Sequence, residues 1–161
     1  MRIFSKSILA AAALTLPLAA TVQGAGHGDN PYAGHIAARQ GYMDILAFNI
    51  GVLGGMARGN VDYDAEAAQT AANNIAAMTT VDGRPFWPAG SDNAALGDAT
   101  RALPAIWENM GGFGEEWMAL GAAASGMADA AGNGLEALQG AIGPLGASCG
   151  SCHRNFRQSD E

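Results

Sequence analysis

Lysine is absent after Lys6, and the whole chain sets 8 lysines and arginines against 15 aspartates and glutamates. The formal charge is −7, and it becomes two units more negative if Arg2 and Lys6 leave with an N-terminal leader. Such a surface has no basic stripe for a phosphate backbone or an anionic membrane, which excludes nucleic acid and acidic lipid as partners. A protein partner with a basic face remains compatible. Cysteine is nearly absent too: only Cys149 and Cys152 occur, so there is no disulfide framework. No apolar run approaches the roughly 20 residues a membrane-crossing helix needs, the longest being about 13, so no permanent membrane anchor is expected. Period-two alternation and internal repeats are missing, which argues against strands and solenoids. No serine, carboxylate or cysteine constellation suggests hydrolysis or group transfer, so the chain does not read as an enzyme.

The cationic residues Arg2 and Lys6, the apolar run Ile8 to Ala20 and the small residues around Ala19 to Gly26 form a secretory signal peptide, placed at residues 1–25. The remaining residues 26–161 are enough for one domain with one core. An exported protein of this kind is expected in the periplasm.

Four helices follow from the apolar spacing. Asp29, Asn30 and Pro31 make a helix start and Gly59-Asn60 a stop, with Arg39, Met43, Leu46, Ile50, Leu53 and Ala57 as the stripe between them. Asp64 caps a second helix through Ala68, Ala72 and Ile75 to about Thr79. Residues 81–100 carry Pro85, Pro88 and the turn residues Gly90 to Asn93, and read as a long connection, followed by a helical turn near Leu103 to Trp107. The third helix shows Phe113, Trp117, Leu120, Ala124 and Met127, ending at Gly132-Asn133-Gly134. Leu135, Leu138, Ile142, Leu145, Cys149, Cys152 and Phe156 mark the fourth. The predicted fold is all-α, an antiparallel four-helix bundle. Gly140, Gly143, Pro144 and Gly146 should weaken or kink the last helix near Pro144 unless a group bonded to the cysteines holds it.

Cys149-Gly150-Ser151-Cys152-His153 admits three readings. In the first, a haem is attached through both thiols, one turn apart on one helix face, with the adjacent His153 as an axial iron ligand. In the second, the thiols are a redox pair. Such pairs need a helix N-terminus to stabilise the thiolate, whereas these lie at a helix C-terminus, where the dipole opposes it. In the third, they bind zinc, which leaves only His27 and His35 to complete a site. The haem reading fits best.

With Phe156-Arg157 after that motif, Arg39-Gln40-Gly41-Tyr42-Met43 in the first helix and Pro104-Ala105-Ile106-Trp107-Glu108 before the third, the sequence resembles the class II cytochromes c, of which cytochrome c′ is the best known. The resemblance implies a four-helix bundle, one covalent haem c near the C-terminal helix, often a homodimer, and no catalytic turnover common to the family. It implies that Arg39 and Gln40 lie at the haem edge near the propionates, where a guanidinium fork suits two carboxylates. Arg157 is expected beside the proximal face, or else as a cation complementing the helix dipole. Met43 falls where family members place the residue facing the distal side of the iron. As a ligand it would make a low-spin carrier of single electrons between redox partners; as a lining residue it would leave five-coordinate iron open to NO and CO. The sequence leaves both open.

Overall fold

The computed structural model describes residues 30–159; the signal peptide read at 1–25, and the side chains of His27 and Asp29, lie outside the described residues. Asn30 accepts the Tyr32 N–H at 2.9 Å and leads into α1 (Ala33–Ala57), which ends before Gly59 at φ 72°. A positive φ is cheap only for glycine, which is why Gly59-Asn60 works as a stop. Asp64 caps α2 (Ala65–Met78), its carboxylate accepting Ala67 N–H at 2.9 Å. The long connection contains a 3₁₀ turn at Arg84–Phe86, the one-turn α3 (Asn93–Leu96) capped by Asp92, and a second 3₁₀ turn at Gly97–Ala99. A further turn, α4 (Ala105–Glu108), precedes α5 (Met110–Ala130), and α6 (Leu135–Phe156) follows Gly134.

The four long helices pack as a ring in which α1 meets α2, α2 meets α5, α5 meets α6 and α6 meets α1. Their directions follow from hydrogen bonds at the ends. Gln69, early in α2, donates to Ala128 O near the end of α5, and Gln139, early in α6, donates to Ala57 O at the end of α1. Ser151, late in α6, reaches Glu116, early in α5. All neighbours are therefore antiparallel, as the sequence predicted. Two clusters fill the interior. One runs through the bundle from Tyr42 and Leu46 to Ile75, Met127, Leu138 and Leu145. The other, at the end closed by the connection, is built on Ala102, Ile106, Phe113 and Phe156, and Trp117 packs against both.

Two details differ from the sequence reading. On α1 the buried stripe includes Tyr42, Asn49 and Met56, while Met43, Ile50 and Ala57 are half-buried at its edge. The seven-residue spacing is kept by Arg39, Leu46 and Leu53 and by Tyr42, Asn49 and Met56; the second row of the buried face lies three residues after the first, not four. On α6 the helix runs unbroken through Pro144. Leu138 and Leu145, both fully buried, hold the opposite face, and tertiary burial of that kind outweighs local propensity.

Candidate functional site

The connection is fastened to the C-terminal end of α6 by backbone pairing. Leu103 N–H donates to Phe156 O at 3.0 Å, Gln158 N–H donates to Arg101 O at 2.8 Å, and Ala102 and Arg157 form an isolated antiparallel bridge. These bonds fix the Cys-x-x-Cys-His turn relative to the aromatic cluster. Cys149 packs against the main core and Cys152 against the aromatic cluster, so the two thiols, one helical turn apart, sit where the clusters meet. Both are free and half-buried.

Burial pushes both thiols up, Cys152 to about 11 with further contributions from Glu116 and Cys149. A thiol of that kind is a poor redox nucleophile, which argues against the thiol-exchange reading. His153 is half-buried and held below its ordinary range by burial first and then by Arg157 and Arg101. It is therefore a neutral imidazole near pH 7, the form that binds a metal. Among the described residues no cluster of three or more His, Cys, Asp or Glu could hold a metal ion, so nothing completes a zinc site around this motif.

On α1 the candidate residues have different surroundings. Arg39 is buried, only 4% exposed, and is no solvated helix arginine. Its Nη1 donates to Ser91 Oγ at 2.9 Å, and its Nη2 donates to Ser91 O and Thr100 Oγ1, each at 2.6 Å. The guanidinium also lies 4.9 Å from the centre of the Trp87 ring. Burial lowers its pKa and Asp92 partly opposes that, but among the described residues it has no carboxylate partner within ion-pair distance. Met43 is half-buried against the main core, beside Tyr42, whose hydroxyl donates to Met78 O and whose ring meets Trp117 edge-on at 5.3 Å. Gln40 is exposed, one position round from Arg39, and Arg157 is the residue that ends α6. Arg39 and Met43 on α1 are thus carried by the helix adjacent to the one bearing Cys149, Cys152 and His153. Ser91, Thr100 and Trp87 were not legible as partners of Arg39 from the sequence.

The family model for cytochrome c′ matches residues 34–157. The chain belongs to the cytochrome c′ family. A cytochrome c-554 from Cereibacter sphaeroides is 45% identical over 127 residues, which is 78% of this chain and 93% of that protein. A cytochrome c′ from the same species is 35% identical over 151 residues, 93% and 95% of the two chains. Among solved structures, a Rhodobacter cytochrome c′ superposes with a TM-score of 0.78 at 33% identity, covering 81% of this chain and 99% of that one.

The chain is accordingly a haem protein of that family, and its own residues fit the group. A thiol pair one turn apart with a neutral imidazole beside it is the donor set haem c requires. A buried guanidinium with only neutral partners is strongly disfavoured unless an anion approaches it, and haem carries two carboxylates. Its Nε and second Nη1 hydrogen have no protein partner among the described residues. An open cleft of about 670 Å³ between α4, α5 and α6, rimmed by Glu108, Glu115 and Glu116, is a different place: neither cysteine nor His153 lines it.

Proposed function

We propose that this protein is a periplasmic carrier of single electrons. One haem c would be held by thioether bonds to Cys149 and Cys152, with His153 as one axial ligand and Met43 as the other. Bound haem supplies a one-electron ferric–ferrous couple, and the chain sets its ligation, burial and charge surroundings. Neutral His153 donates a lone pair from α6, and Met43 offers its thioether from the adjacent α1. Arg39 and Gln40 are assigned to the propionate edge, and Arg157 to the His153 side. The acidic balance of the chain, with Glu108, Glu115 and Glu116 on one rim near the C-terminal turn, suits a redox partner with a basic face.

The observation that carries the carrier reading is the position of Met43, half-buried against the same cluster that receives Cys149 from the neighbouring helix. A thioether ligand raises the potential and fills the sixth position, whereas a Met43 that only lines the pocket leaves iron open to NO and CO. Absorption spectroscopy of the ferric protein should therefore show a methionine-to-iron charge-transfer band. The reduced protein should not take up CO. Met43→Ala should lose the band and gain CO binding. High-spin wild-type protein that binds CO readily would replace the carrier reading with the gas-binding one.

A further inference from the structure

Trp87 carries a donor that the protein does not use. Its indole Nε1 is enclosed and has no hydrogen-bond partner among the described residues, although its own carbonyl accepts the Trp107 Nε1–H at 3.1 Å. Leaving a buried N–H unpaired is costly, and native proteins rarely tolerate it without an unseen acceptor. The surroundings restrict what that acceptor can be. Trp87 packs against the aromatic cluster that also receives Cys152, and its ring meets Phe113 edge-on at 5.0 Å. The Arg39 guanidinium lies over the ring, with its Nε and one Nη1 hydrogen uncommitted. An enclosed indole donor beside an enclosed cation that has no carboxylate within ion-pair distance among the described residues forms a site for an anionic oxygen, and charge-assisted bonds of this type are the strong ones.

We infer that Trp87 Nε1–H donates to a haem propionate, sharing that carboxylate with Arg39 and so acting as a positioning residue for the haem. This rests on the haem reading above. The bond would have two effects. It would fix the propionate edge relative to the connection at Arg84 to Ser91, and it would draw negative charge away from the iron. Weakening the carboxylate's field in this way favours the reduced state, so the bond raises the potential.

The test uses the haem-loaded protein with ¹⁵N-labelled tryptophan, in a reduced diamagnetic state. Three indole signals are available, from Trp87, Trp107 and Trp117, and Trp87→Phe assigns the first by its disappearance. The Trp87 Nε1–H is expected to exchange slowly with D₂O and to show a nuclear Overhauser effect to propionate methylene protons. In Trp87→Phe, which keeps the ring that packs on Phe113, the midpoint potential at neutral pH is expected to fall at unchanged haem content. A rapidly exchanging indole, or a protected one that shows effects only to water, would overturn the assignment, as would an unchanged potential in Trp87→Phe. Haem content, read by mass before the titration, separates this failure from failure of the haem reading itself. The wild-type spectrum needs no substitution, so the test survives a variant that folds poorly.

Discussion

Arg39 is the residue at which sequence and structure are furthest apart in detail. Its place on the stripe was legible, because a helix repeats its face every three or four positions. Its partners were not: Ser91 and Thr100 are 52 and 61 residues away, in a connection with no periodicity to read. Three neutral acceptor contacts and one aromatic face hold a cation that is almost wholly enclosed. Substituting Arg39→Met would strand the Ser91 carbonyl and the Thr100 hydroxyl, at a cost of about 2 to 4 kcal/mol in denaturant unfolding. Arg39→Lys should recover little of this, because one ammonium cannot reproduce a planar fork aimed at separate acceptors. A loss below about 0.5 kcal/mol in Arg39→Met would contradict the buried position, since that is the range of surface substitutions. The Cys-x-x-Cys-His motif, by contrast, could be read without any long-range partner, because it is contained in five consecutive residues.

At the scale of the helix, α6 was expected to be weak at its glycines and proline, yet it is continuous from Leu135 to Phe156. The expectation was conditional on nothing holding the helix, and Leu138, Leu145 and Phe156 anchor its inner face. The cost should still be measurable where packing does not hide it. Gly146 is exposed, lies in the helix interior, does not precede a proline, and a Cβ there would meet nothing within 4 Å. Gly146→Ala should therefore stabilise the protein by about 0.5 to 1 kcal/mol in denaturant unfolding. Destabilisation would mean that another group lies against this face in the folded protein. The α1 stripe teaches a related lesson. Its existence was legible from spacing, but Tyr42 rather than Met43 is the buried one of the pair, because the inner face continues on the i+3 side of Arg39, Leu46 and Leu53 and not on the i+4 side.

For the whole molecule, chain order was enough to predict an antiparallel ring, since short turns join α1 to α2 and α5 to α6. What spacing could not convey is that the connection pairs with residues 156–158 and so braces the cysteine turn from outside the bundle. That brace is where the fold serves the site: it holds Trp87 beside Arg39 at the same end of the bundle as Cys152. The account as a whole depends on covalent haem at that end. Its most direct test is the intact mass of the purified protein, together with the mass of a peptide spanning Cys149 to His153. The expected result is one haem added per chain, retained after acidic organic extraction, with no free thiol. Two free thiols, or a cystine with no added macrocycle, would contradict it.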